Sequence, residues 1–112
     1  METDGTLPFD VKQLYWIYGI EGDANRGNHA HVNSDRIIIC LYGSIDVIIE
    51  SIDGERYEFE LKDPGEVLYY PRMYWIKLKF HAGALAAVGA SDIFKNDIVI
   101  KDFEEFKKLK CN

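Results

Sequence analysis

Two of the chain's three histidines lie two residues apart, in the segment Arg26-Gly27-Asn28-His29-Ala30-His31. On a strand, that spacing puts both imidazoles on one face, about 7 Å apart along the chain, with Ala30 turned the other way toward packing. An imidazole titrates near pH 6.5, so a pair of them suits proton removal and return at neutral pH. Gly27 permits a sharp turn or a close approach of backbone to a ligand. Arg26 and Asn28 are the expected substrate contacts here, and the planar fork of Arg26 matches phosphate or carboxylate. Two surface histidines after a loop would be the bland alternative. It is the weaker one for a cluster of this kind in an acidic chain so poor in histidine.

A histidine pair also raises the question of a metal. His-x-His on a strand, followed by the carboxylate of Asp35 and a strand bounded by Gly43, has the form of the first half of a cupin metal motif. The second half needs a glycine, five residues, a proline and then a histidine. Gly65 and Pro71 have that separation, but the residues that follow are Arg72-Met73-Tyr74-Trp75-Ile76, and His81 lies too far along. A stable zinc or iron site wants three or four protein ligands, whereas this chain offers His29, His31 and at most Asp35. The expectation is a site with no metal, its histidines left for acid–base work. No G-x-G-x-x-G, G-x-x-x-x-G-K-[ST] or G-x-S-x-G pattern is present, which argues against dinucleotide, P-loop and hydrolase-elbow chemistry.

Aromatic side chains form the second group. Tyr15-Trp16 and Tyr18 open the chain's first apolar segment, and Tyr69-Tyr70 and Tyr74-Trp75 flank Pro71. Packing accounts for most of them. The functional expectation is that one or two stack on a base or sugar and that one hydroxyl donates to a developing oxyanion.

Strands must position these groups, because the hydrophobic period is two almost everywhere. Val11, Leu14, Tyr15, Ile17 and Ile20 outline a first strand. Arg36 to Tyr42 is a continuous β-branched run, as in a strand buried on both faces. Ile45 to Ile49 follows Gly43-Ser44, and Asp53-Gly54 is a hairpin signal. Tyr57, Phe59 and Leu61 then alternate with charges, predicting one buried face. Val67 to Tyr70 ends at Pro71. Ile76, Leu78 and Phe80 alternate with Lys77, Lys79 and His81, and the small residues from Ala84 to Ala90 suit a tightly packed inner strand. A short turn is expected around Asp92–Asp97. Only the tail is helical in pattern: Asp102 is a candidate N-cap, Phe103, Phe106 and Leu109 have helical spacing, and Lys107, Lys108 and Lys110 sit at the C-terminal end. Short strands with frequent turns predict an all-β sandwich or barrel with a short C-terminal helix. Its opening strand is an edge that a partner chain could cover.

Length and composition bound the rest. The 112 residues suit one domain spanning 1–112. Thirteen basic and nineteen acidic residues give a net charge of −6, which argues against nucleic acid and anionic membrane as partners. No apolar run is long enough to span a bilayer, and the opening Met-Glu-Thr-Asp-Gly is unlike a signal peptide. Cys40 and Cys111 read as free thiols in a reducing compartment, so the expected location is the cytoplasm.

The stretches from Leu7 to Tyr18, Arg26-Gly27-Asn28-His29-Ala30-His31 and Ile39-Cys40-Leu41-Tyr42-Gly43-Ser44 resemble the WxcM-like sugar-nucleotide 3,4-ketoisomerases. Ala90-Ser91-Asp92 and Asp102-Phe103-Glu104-Glu105-Phe106 fit the same pattern. The resemblance implies a cupin-type jelly-roll barrel (a double-stranded β-helix), usually a homodimer. It implies an isomerase that moves the keto group of dTDP-4-keto-6-deoxyglucose from C4 to C3, without metal or organic cofactor, on the way to aminated deoxysugars of surface polysaccharides or antibiotics. By position, His29 and His31 match the family's active-site histidines, Arg26 the arginine before them and Tyr15 a tyrosine of the strand leading in. This chain departs from the family at Val32, where lysine is frequent, at Asp35-Arg36, where glutamine is common, and at Tyr74-Trp75, where Trp-His is common. The family also usually has further N-terminal residues, including an opening strand.

On this reading His31 is the carbon base, His29 the proton shuttle, and Tyr15 or the second histidine the enediolate donor. Arg26 holds the diphosphate, and Tyr74 and Trp75 contact the substrate, Trp75 by stacking on thymine or walling the sugar. Activity is expected to fall as pH drops through the ordinary histidine range. Two rival readings are a non-catalytic sugar-nucleotide-binding cupin and a metal-dependent cupin enzyme using His29, His31 and Asp35.

Overall fold

The alternating segments become nine strands and one short helix in a computed structural model that describes residues 7–93 and 96–109. In chain order they are β1 (Gln13–Ile17), β2 (Ala24–His31), β3 (Arg36–Tyr42), β4 (Ile45–Ser51), β5 (Arg56–Leu61), β6 (Val67–Tyr70), β7 (Tyr74–Phe80), β8 (Leu85–Ala90), β9 (Val99–Ile100) and α1 (Phe103–Lys108). Two antiparallel sheets face each other, in the orders β1-β8-β3-β6 and β5-β4-β7-β2-β9. This is the all-β jelly-roll arrangement expected from the sequence.

The core fills the space between the sheets. Ile38, Cys40 and Val88 from the four-stranded sheet meet Ile45, Val47, Ile76 and Phe80 from the five-stranded sheet, all of them almost fully buried. The small residues of β8 let it run between β1 and β3 with register pairs Tyr15↔Val88 and Ile38↔Val88. Gly89 keeps that strand close to its neighbour: a Cβ there would approach the Ile37 side chain to 3.0 Å, and Ile37 would have to give way. The Cys40 thiol is buried and reaches the Tyr42 carbonyl. Cys111 and Lys110 lie outside the described residues.

Three sequence expectations change. The first strand is shorter than its apolar pattern: β1 ends at Ile17, and Ile20 reaches the core after a turn through Gly19, at φ 74°. In β5, Tyr57 and Phe59 are exposed and only Leu61 is buried. β5 is the outermost strand of its sheet and pairs only with β4, so its inner face runs past the cover. β9 was not legible at two residues long. It adds to the edge of β2 through Ala30↔Ile100 and His31↔Val99. The turn expected near Asp92–Asp97 is present where described, with Asn96 N–H donating to the Ile93 carbonyl.

Helix α1 begins where the pattern placed it. The Asp102 carboxylate accepts from the backbone N–H of Glu104 at 2.9 Å and of Glu105 at 3.4 Å, satisfying donors the first turn leaves open. Glu104 and Glu105 in the first turn and Lys107 and Lys108 in the last complement the helix dipole. The helix presses Phe106, fully buried, onto a second cluster made with Ala30, Trp75 and Ile100. That cluster lies on the side of β2 opposite its histidines. No helix among the described residues is long and apolar enough to cross a membrane.

Candidate active site

One irregularity in β2 decides where the histidines point. Arg26 pairs with Leu78 and Gly27 with Lys77, but His29, not Asn28, pairs with Ile76. Asn28 is the extra residue of a β-bulge. Leu78 and Ile76 face the core and Lys77 faces solvent, so the bulge resets the alternation. Without it Asn28 and Ala30 would point inward and both histidines outward. Two residues carry the bulge. Gly27 adopts φ 89°, and a Cβ there would sit 2.8 Å from the Ile76 carbonyl oxygen. Asn28 adopts φ 57°, a left-handed conformation asparagine tolerates better than most residues. Ala30 then faces outward, where its small side chain leaves room for Trp75 and Phe106.

The histidines consequently converge between the two sheets. Their Nε2 atoms are 3.1 Å apart and the rings meet edge to face at 82°. His31 Nδ1 lies 3.0 Å from each carboxylate oxygen of Asp97 and 3.2 Å from Arg36 Nη2. The same Nη2 donates to Asp97 Oδ2 at 2.8 Å, and Arg36 Nη1 donates to the Tyr15 hydroxyl at 3.0 Å. Arg36 is only 4% exposed and the Asp97 side chain 7%, so water screens this pair little. Asp97 is fixed from both sides: Val32 N–H donates to the Ile98 carbonyl, and the Asn33 side chain accepts from Ile98 N–H and donates to the Asn96 carbonyl.

These groups line a cleft of about 680 Å3 together with Gln13, Val99 and Lys101. Tyr15, Gly27 and His29 continue into a second space of about 330 Å3 with Arg26 and Tyr70. Both volumes fall in the range of small-ligand sites. A larger depression, about 770 Å3, lies on the five-stranded sheet between Lys77, Lys79, Asp46, Glu58 and Glu60. It contains no histidine, and its lining carries both signs of charge, with Arg26, Lys77 and Lys79 against Asp46, Glu58 and Glu60.

Burial governs the site's electrostatics. His31 is pushed down to about 4, first by desolvation and then by the Arg36 guanidinium, which together outweigh the pull of Asp97. His29 is lowered by burial, against a hydrogen bond to the Gly27 backbone. Tyr15 and Tyr70 are raised by burial and stay phenols. The Tyr15 oxygen accepts from Arg36, leaving its own proton to give. Both histidines are therefore neutral at pH 7, and the acid limb expected in the ordinary histidine range moves below it.

Not every sequence candidate arrives here. His29, His31 and Tyr15 do, and Arg26 borders both the adjoining space and the larger depression. Asn28 is turned out by the bulge and lines the larger depression instead. Tyr74 packs against the main core and lines neither the cleft nor its extension. Trp75 is buried on the opposite face, 5.2 Å from Phe103 and 5.7 Å from Phe106 between ring centres, so it walls no substrate here. Asp35 is tied to Arg72 through its backbone N–H and guanidinium, at 2.8 to 3.2 Å, and borders a separate shallow depression. It does not complete a ligand set with the histidines.

Sequence reasoning missed Arg36, Asp97, Gln13 and Lys101. A charge heading an apolar strand was the available signal for Arg36. Asp97 carried none, because a two-residue strand sets its position.

The family model described as FdtA, WxcM-like, C-terminal, matches residues 1–111. A protein of Aneurinibacillus thermoaerophilus named TDP-4-oxo-6-deoxy-alpha-D-glucose-3,4-oxoisomerase is 32% identical over 110 residues, covering 96% of this chain and 78% of its own. The structure of the WlaRB TDP-quinovose 3,4-ketoisomerase from Campylobacter jejuni is similar with a TM-score of 0.86 and 30% identity, over 96% of this chain and 83% of that one. A histidine-to-asparagine variant of the 3,4-ketoisomerase QdtA from Thermoanaerobacterium thermosaccharolyticum, in complex with TDP-4-keto-6-deoxyglucose, superimposes with a TM-score of 0.83 and 28% identity, over 97% and 79%.

Proposed function

The chain belongs to the FdtA, WxcM-like family, and from that footing we propose that it is a 3,4-ketoisomerase of a TDP-linked 4-keto-6-deoxyhexose. The observation that carries the proposal is the meeting of two neutral imidazoles, Nε2 to Nε2 at 3.1 Å, in one cleft with a tyrosine hydroxyl.

In a 4-keto sugar the C3 hydrogen is α to a carbonyl. His31 takes that proton, and the electron pair of the C–H bond moves to give an enediolate with its charge on O4. Tyr15 donates a hydrogen bond to that oxygen. His29 carries the O3 hydroxyl proton to O4. His31 returns its proton to C4, and O3 becomes the carbonyl oxygen. Every proton removed is returned, so the reaction as written consumes no redox cofactor or metal. Arg26, beside the extension of the cleft, and Lys101, in its lining, are the cations we assign to the diphosphate. Gln13, whose side-chain oxygen is buried without a partner among the described residues, is placed to accept from a sugar hydroxyl. The product is an intermediate suited to amination, consistent with deoxyaminosugar biosynthesis in the cytoplasm.

We also assign the protein as a homodimer. β1 is an edge strand, and its outward side chains Leu14 and Trp16 are 59% and 54% exposed. Tyr69, also exposed, lies on the same face of the sheet, across the buried Ile37. Light scattering should give twice the chain mass at micromolar concentration, and a monomer contradicts this.

The function is tested by adding TDP-4-keto-6-deoxyglucose and following the sugar by NMR, with and without a chelator. Appearance of the 3-keto sugar at equal rates supports the proposal. Binding without conversion favours the non-catalytic reading, and a rate lost to the chelator favours a metal enzyme.

A further inference from the structure

We infer that Asp97 is the positioning residue of the histidine pair: it holds His31 with its proton on Nδ1, and Arg36 holds Asp97 to that task. The reasoning rests on which partner can give and which can only accept. His31 Nδ1 faces two carboxylate oxygens at 3.0 Å and one guanidinium nitrogen at 3.2 Å. The carboxylate can only accept and the guanidinium can only donate. A bare Nδ1 would set its lone pair against two anionic oxygens. A protonated Nδ1 donates to them, at the shorter of the two distances. Arg36 Nη2 gives one of its two hydrogens to Asp97 Oδ2 at 2.8 Å, a shorter contact than its 3.2 Å approach to His31 Nδ1.

One tautomer then fixes the next. With the proton on Nδ1, the His31 lone pair is on Nε2, the atom facing His29. At 3.1 Å two lone pairs would repel, so the neutral pair closes with the single N–H of His29 on Nε2, donating to His31 Nε2, and the Gly27 backbone bond favours the charged form of His29. The result is one ordered chain of hydrogen bonds from His29 through His31 and Asp97 to Arg36 and Tyr15. When His29 releases that bond to a sugar hydroxyl, Nε2 of His31 is free to accept the carbon proton, and the imidazolium that forms is already hydrogen-bonded to a carboxylate, which is the orienting logic of catalytic triads. Burial, and then the Arg36 guanidinium, keep the resting ring neutral, so Asp97 orients it without making it a permanent cation. Arg36 also places the Tyr15 oxygen, and so the same ion pair positions the base and the enediolate donor.

The kinetic part of this inference rests on the isomerase reading, but its first test does not. Nitrogen-15 NMR of the full-length protein at pH 7.5, without ligand, should show His31 with a protonated Nδ1 and a bare Nε2. In Asp97→Asn that pattern should reverse or become a mixture, because the amide can turn a donor toward Nδ1. A wild-type His31 with its proton on Nε2 overturns the inference whatever the activity, and this needs no variant to fold. In the isomerase assay, Asp97→Asn should lower kcat by about 10²- to 10⁴-fold with KM changed less than about threefold, and Asp97→Glu should restore part of the loss. Unchanged kcat and an unchanged nitrogen pattern in Asp97→Asn also overturn it. If the wild type shows the Nδ1–H pattern, the variant loses it and neither is an isomerase, the Asp97 assignment stands and the proposed function falls.

Discussion

Mild acid should weaken this fold through His31, and the effect can be sized. The ring is neutral in the native state, with a pKa of about 4, against about 6.5 when unfolded. Between those values the unfolded chain binds a proton that the native chain refuses. Stability from the neutral ring is therefore complete above pH 6.5 and is lost as pH falls toward 4. At about 1.4 kcal/mol per pKa unit, the full loss is about 3 kcal/mol, of which about 1 kcal/mol has gone by pH 5.5. His31 is 8% exposed, so solvent screening removes little of this. The assay is urea unfolding of the wild type and His31→Gln at several pH values from 7.5 to 5. Glutamine does not titrate, and the groups that His31 does not touch contribute equally to both proteins. The stability gap should shift by about 1 kcal/mol against the wild type between pH 7.5 and 5.5. A constant gap would mean that Asp97 balances burial and Arg36, and a wild type that gains on the variant in acid would mean that Asp97 dominates and the folded ring binds its proton more tightly than the unfolded one; either result refutes the reasoning. The catalytic counterpart is that about nine-tenths of an ordinary histidine is protonated at pH 5.5, whereas nearly all of His31 remains a base.

Three further perturbations separate the parts of the account. Gly27→Ala places a Cβ 2.8 Å from the Ile76 carbonyl at φ 89°; it should destabilise by more than about 1 kcal/mol in urea unfolding and lose most isomerase activity, because the bulge aims both histidines. Tyr15→Phe should remain folded, with an unchanged melting temperature within a few degrees, yet lose about 10²-fold or more in kcat as an oxyanion donor is removed. Phe106→Ala, at a site with no exposure beneath α1, should cost about 3–5 kcal/mol in denaturant unfolding.

The sequence was most legible where local chemistry and burial agree. The run from Arg36 to Tyr42, the small residues of β8 and the Asp102 cap all announced their elements because pattern, propensity and packing point the same way. The histidine pair was legible by type and spacing, and its convergence was not: the expected separation along a regular strand gives way to a 3.1 Å contact as two side chains lean together. Trp75 misled because an aromatic next to a candidate pocket strand reads the same whether it faces the pocket or a helix. Its face depends on β7 alternation together with where α1 docks. Tyr57 and Phe59 failed for a related reason, since period two reports which face could be buried and not whether another sheet covers it. Asp97 depended on β9, whose two residues form a strand only because the edge of β2 is open to them, a tertiary condition with no local signature.

The central claim, that His31 moves a proton between C3 and C4 of the sugar, is tested most directly by hydrogen exchange. Wild-type protein and His31→Asn would each be incubated with TDP-4-keto-6-deoxyglucose in heavy water and the sugar read by NMR and mass. The wild type should form the 3-keto product and wash deuterium into the ring at the reacting carbons. His31→Asn should show neither, while binding the nucleotide sugar with nearly wild-type affinity, since asparagine keeps a polar contact but accepts no proton near neutral pH. Ring exchange and product formation at the wild-type rate in His31→Asn would contradict the account.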